Sequence, residues 1–243
     1  GRPLVKMGAP ITDITAGILG AMAVAAAYAH KLKTGEGQKI DTSLFEAGIV
    51  HTYWQSAIGL ATGVAPGPMG SAHPLNAPYQ AFQTEDGWIT LGAANQKNWL
   101  RMLEVIEAPE LAEDDRFKEN TGRMSHLQEL EDLLTPIFLK HTTGDWLNRL
   151  EAAGVPAGPV LNVNEMHQDP HTLARDMVVD LPHSKLGTVK SIGLPVKFSE
   201  TPGRVVSGAP VYGQHTREVL AEYGYDYGEI DKLIAKGAVA AAD

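Results

Sequence analysis

GAPITDITAG, residues 8–17, leads into a run of alanine, leucine, methionine and valine that continues to Ala29. The spacing predicts a helix over 14–33, with Thr12 or Asp13 able to cap its start and Thr34–Gly35 ending it. Apolar residues fall nearly all round this helix, the pattern of a core helix rather than of an amphipathic surface one. Its least polar part, Ile14–Ala29, is interrupted by Thr15 and falls short of the roughly 20 residues of a bilayer span. A buried helix and no membrane association are therefore expected. Asp13 has two readings. Aspartate is among the commonest helix caps. The unpaired N–H groups and dipole at a helix start also hold a carboxylate in its ionised form, which is the form a carboxylate nucleophile needs. Spacing alone leaves both readings open.

Working outward, Gly37–Asp41 reads as a short strand, and Ser43 with Glu46 as a capping box opening a second apolar helix over 43–62. Residues 61–78, ATGVAPGPMGSAHPLNAP, hold four prolines and three glycines with little periodicity, so they read as a linker or active-site loop. In YQAFQTEDGWITLGA, 79–93, two alternating runs flank Glu85-Asp86-Gly87, a hairpin signal. Helices are predicted over 96–106, 123–140, 143–153, 215–223 and 228–238. Strands are predicted following the loop GVPAGPVLN, 154–162, and within SIGLPVKFSETP, 191–202. The order reads as a mixed α/β chain. Residues 1–60 belong to a larger domain, 61–78 form the linker or substrate loop, 79–165 form a smaller α/β domain, and 166–243 return to the larger one.

The totals exclude several functions. The 243 residues carry 20 Lys+Arg against 29 Asp+Glu, a formal charge of −9. A surface field of that sign repels phosphate and opposes general nucleic-acid binding. The absence of cysteine removes disulfides, thiolate metal sites and a cysteine nucleophile, and fits a reducing, cytoplasmic setting. The histidines lack metal-ligand spacing: His167 and His171 are four apart but separated by Pro170, and His51, His126 and His141 stand alone, so no metal is expected. Ser71 and His73 lie in the Gly/Pro loop without a nucleophile-elbow motif. Gly35-Glu36-Gly37 follows a helix and precedes a strand, the wrong order for a dinucleotide fingerprint.

Five stretches carry a resemblance. They are GAPITDITAG with its Ala-rich helix, KTGEGQKIDTSLFEA at 33–47, APYQAFQTEDGWITLGAANQKNW at 77–99, AAGVPAGPVLNVNEMHQDPH at 152–171, and GLPVKFSETP at 193–202 followed by GQHTREVLAEYGY. Together and in this order they resemble the family III CoA-transferases, the group of formyl-CoA transferase and carnitine CoA-transferase. The resemblance implies a Rossmann-like large domain plus a smaller α/β domain in an interlocked homodimer. It also implies that Asp13 is the nucleophile, forming an aspartyl-CoA intermediate, and that coenzyme A enters as an acyl-CoA substrate. Met69, Gly70, Ser71, Ala72 and His73 fall where the family places a substrate-covering loop. Formyl-CoA transferase has a glycine run there. Its absence here points to larger dicarboxylic acids, such as succinate with a branched or unsaturated partner. Family members carry a long segment before the matching aspartate, so this chain is expected to be a fragment or one half of a split enzyme, with an N-terminal half or subunit as partner. The rivals are an α-methylacyl-CoA racemase, whose matching aspartate acts as acid/base but is followed by glycines where this chain has Ile14-Thr15-Ala16, and a non-catalytic scaffold.

Overall fold

A computed structural model describes residues 7–242. The chain divides into two units, Gly1–Val160 and Leu161–Asp243.

In the first unit the opening helix, α1 (Ile11–Thr34), begins earlier than its apolar run predicts. Proline already holds φ near the helical value, so the helix starts directly after Pro10, whose carbonyl receives the Ile14 N–H at 3.0 Å. Pro10 is the N-cap, without a side-chain cap bond. Asp13 is therefore the third helical residue and not the cap. The predicted stop holds: Gly35 adopts φ 82° and its N–H returns to the Lys31 carbonyl. The expected burial does not hold. None of the α1 residues is buried, and Ile18 and Leu32 are 64% and 71% exposed. At 24 residues with mean hydropathy 1.5, α1 is long and apolar enough, by length and composition alone, to cross a bilayer. That corrects the shorter estimate from its least polar part.

The strand predicted at 37–41 is irregular backbone, because no neighbouring segment pairs with it among the described residues. The single helix predicted over 43–62 is two, α2 (Leu44–Val50) and α3 (Tyr53–Thr62). Ser43 caps α2 as expected, accepting the Glu46 N–H at 3.2 Å, although Glu46 returns its bond to the Ser43 hydroxyl rather than to the backbone. The helix breaks at His51–Thr52, where both backbone N–H groups turn to carbonyls three residues back and the Thr52 hydroxyl donates to the Ile49 carbonyl at 2.7 Å. α2 packs on α1 so closely that a Cβ at Gly48 would lie 3.3 Å from the Thr12 methyl.

Beyond the loop comes the predicted hairpin, β1 (Tyr79–Gln83) with β2 (Trp88–Gly92), in the register Gln83↔Trp88. Next are α4 (Gln96–Val105) and a 3-10 turn at Pro109–Ala112. The helix predicted over 123–140 divides into α5 (Asn120–Ser125) and α6 (Leu127–Phe138). It breaks at His126, whose backbone (φ −117°, ψ 33°) is not helical. α7 (Thr143–Ala152) and β3 (Ala157–Pro159) complete the unit, β3 pairing antiparallel with β2. Alternation in the strands buries Phe82, Ile89 and Leu91. Helical spacing buries Trp99, Met102 and Leu103 on α4, Leu130, Leu134 and Phe138 on α6, and Trp146 and Leu150 on α7. These side chains form one cluster. Phe138 lies at its centre, with ring centroids 4.8 Å from Phe82 and 5.2 Å from Trp146. Phe138→Ala is expected to cost about 3–5 kcal/mol, read as a lower urea midpoint with an unchanged slope.

The second unit holds α8 (Val163–Gln168), α9 (Pro170–Ala174), the antiparallel pair β4 (Val178–His183) and β5 (Gly187–Ile192), then α10 (Thr216–Glu222) and α11 (Tyr227–Ala235). The strand predicted at 191–202 is only the end of β5; Pro195 lacks the N–H a ladder requires, and the backbone beyond Ile192 is irregular. The two terminal helices fall where predicted.

Candidate active site

Asp13 stands in the first turn of α1, exposed to solvent. Its Oδ2 accepts the Thr12 hydroxyl proton at 3.1 Å. The unpaired N–H groups of this turn carry the positive end of the helix dipole. The carboxylate is thus accessible, held by a neighbouring hydroxyl and placed in a field that favours its charge. Thr15, further along the same turn, meets His51 Nε2 at 2.7 Å. In the sequence His51 has no partner at metal-ligand spacing. The contact spans 36 residues, which no local spacing reveals.

Met69–His73 begins with a tight turn: Gly70 has φ 69° and the Ala72 N–H reaches the Met69 carbonyl at 3.3 Å. The loop is then stitched to β1. Ser71 Oγ accepts the Ala81 N–H at 3.1 Å, and the His73 N–H donates to the Tyr79 carbonyl at 2.9 Å. The His73 ring is stacked on Tyr79, centroids 5.0 Å apart and 2° from parallel, and meets Trp54 edge-on at 4.9 Å. Its Nδ1 accepts the Leu75 backbone N–H at 3.1 Å. That bond places the proton of the neutral ring on Nε2, leaving an N–H donor. The sequence placed Ser71 and His73 in the loop but not their roles: Ser71 ties the loop down, and His73 presents a donor from an aromatic sandwich.

The helix turn α2–α3 connects the two places. His51 touches the Asp13 helix, Trp54 touches His73, and these two residues are three apart across the α2–α3 break. Among the described residues, no group of three or more His, Asp or Glu is suited to hold a metal ion. A separate open cleft of about 670 Å³ in the second unit, lined by Asn164, His167, Leu173, Lys190 and Ile192 among others, contains none of the site residues read from the sequence.

The chain is 33% identical over 222 residues to the succinate–glutarate CoA-transferase of Agrobacterium fabrum, covering 91% of this chain and 55% of that protein. It is 35% identical over 199 residues to the acetyl-CoA:oxalate CoA-transferase of Acetobacter aceti, covering 82% and 50%. Among solved structures it is similar to a CAIB/BAIF family protein from Brucella suis, with a TM-score of 0.76 and 32% identity over 91% of this chain and 57% of that one. The chain thus spans about half the length of the curated relatives it matches. The model of CoA-transferase family III matches residues 1–216, and the chain belongs to that family.

Proposed function

We propose that the chain carries the nucleophile of a CoA-transferase that exchanges CoA between dicarboxylic acids. The observation that carries this reading is Asp13: an exposed carboxylate in the first turn of a helix, held by Thr12, in a chain that matches the family through this segment. Asp13 attacks the carbonyl of the donor acyl-CoA, giving a mixed anhydride and CoA thiolate. The thiolate attacks the Asp13 carbonyl, releasing the donor carboxylate and leaving an aspartyl-CoA thioester. The acceptor carboxylate attacks that thioester, re-forming an anhydride and freeing thiolate. The thiolate then takes the acceptor acyl group and returns Asp13 as carboxylate. The cycle needs no net proton and replaces one difficult exchange with four acyl transfers.

The His73 Nε2–H is suited to hold the remote carboxylate of a dicarboxylic acid, with Met69–Ala72 covering it. Relatives named for succinate with glutarate support this substrate class. Another, named for oxalate at 35% identity, makes oxalate a necessary arm of any acceptor screen despite the missing glycine run. The exposed apolar faces of α1, α2 and α3, with Phe45 77% and Leu60 89% exposed, support a protein partner. We assign this role to a second copy in an interlocked dimer, together with the remaining family segment that carries the Rossmann-like sheet and most CoA contacts. A cytoplasmic location accords with this reading.

The test is chemical trapping. The intact protein is incubated with succinyl-CoA, treated with hydroxylamine and mapped by mass spectrometry. A hydroxamate on Asp13 is the expected result. No adduct, with α-proton exchange into deuterated water on an α-methylacyl-CoA, replaces this reading with a racemase. Neither signal leaves a scaffold.

A further inference from the structure

The loop that presents His73 is gripped from behind by a helix more than 40 residues away in sequence. On α5, Asn120 Oδ1 accepts the Ala77 N–H at 3.0 Å and Asn120 Nδ2 donates to the Leu75 carbonyl at 2.9 Å. One carboxamide thus clamps an N–H and a C=O two residues apart in the bent segment just before β1. One turn further along the helix, Arg123 Nε donates to the Ala77 carbonyl at 2.7 Å. The residue held by Asn120 Nδ2 is the one whose N–H fixes His73: the Leu75 carbonyl goes to Asn120 and the Leu75 N–H goes to His73 Nδ1. The peptide units on either side of the Leu75 Cα thus transmit the position of Asn120 to the imidazole. Arg123 and Ala77 are fully buried, so the grip is anchored in the core of the first unit rather than on its surface.

We propose that Asn120 is a positioning residue for substrate recognition: it sets the orientation and tautomer of His73 through Leu75, and so tunes affinity for the acceptor carboxylate without touching it. This rests on the reading of Met69–His73 as the acceptor loop. Asn120→Asp separates the two halves of the grip. It keeps an acceptor for the Ala77 N–H, loses the donor to Leu75, and sets a carboxylate oxygen against the Leu75 carbonyl.

The experiment compares the intact protein with its Asn120→Asp and Asn120→Ala variants by steady-state kinetics and by hydrogen exchange of peptides covering 64–81. In Asn120→Asp the KM for the acceptor is expected to rise about tenfold, the scale of one lost hydrogen bond to a fixed partner. Hydroxamate formation on Asp13 driven by acetyl-CoA, whose acyl group has no remote carboxylate to reach His73, should change by less than about twofold. Exchange should quicken within 69–76 and not in β1–β2. Unchanged exchange in 69–76 for both variants overturns the proposal, as does acceleration spread through the whole core, which marks a structural role only. If the wild-type protein transfers no CoA, the acceptor-loop reading fails by that result, and the exchange pattern still decides whether Asn120 positions His73.

Discussion

Replacing Asp13 by alanine is expected to abolish CoA transfer, a fall of at least about four orders of magnitude, the scale seen when a covalent nucleophile is removed. The fold should survive. Asp13 is not the helix cap, since Pro10 occupies that position, and its carboxylate bonds to the adjacent Thr12 hydroxyl. Besides that solvent-exposed contact, the loss is the first-turn charge–dipole attraction, about 0.3–1 kcal/mol. Asp13→Asn is the sharper test, because it keeps the shape and the Thr12 contact while removing the charge. A CoA-transfer assay by chromatography, run beside thermal denaturation, separates the two effects. Turnover retained in either variant would sink the nucleophile assignment.

The second large effect is on stability. Arg123→Ala is expected to destabilise the first unit by about 3–5 kcal/mol, in the tail of single-substitution effects. Besides its bond to Ala77, the guanidinium donates through Nη1 to the Phe117 carbonyl at 2.9 Å, and more weakly to Gln96 Oε1 and the Lys118 carbonyl. It also stacks over the Trp99 ring at 4.8 Å. Alanine would leave the carbonyls of buried Ala77 and Phe117 without donors, at about 1–3 kcal/mol each, and add a cavity against Trp99. Two features limit the loss. Burial pulls the guanidinium pKa down, a sign of the desolvation the native state already bears, and Nη2 is buried without an acceptor among the described residues. Arg123→Met refills the volume and should recover part of the loss, leaving the hydrogen-bond share. Urea denaturation measures both, and a loss under about 1 kcal/mol for alanine would refute the account.

What the sequence made legible follows from which forces are local. The Asp86-Gly87 turn and the alternation around it specify the hairpin within fifteen residues, and the hairpin forms there. The Gly35 and Ser43 signals act within one turn and also hold. The errors arise where a distant group decides the outcome. Gly37–Asp41 has strand-like composition but no neighbour to pair with among the described residues. The 43–62 helix breaks at a threonine whose hydroxyl competes for the backbone, which propensity does not register. The burial of α1 was inferred from composition, yet burial depends on what else is present. In the site, Asp13 was legible only as a cap or, by resemblance, as a nucleophile. His51, Trp54, Asn120 and Arg123 were not legible at all, because each acts across a separation that carries no periodic signal.

The exposure of α1 bears on the chemistry directly. No residue of α1 is buried, and the packed cluster at 77–155 includes none of its side chains. The proposed nucleophile therefore stands on a helix outside the core of the first unit. In the proposed dimer the partner would cover those apolar faces and order the first turn, so catalytic competence would follow the law of mass action for that association rather than the melting of the core.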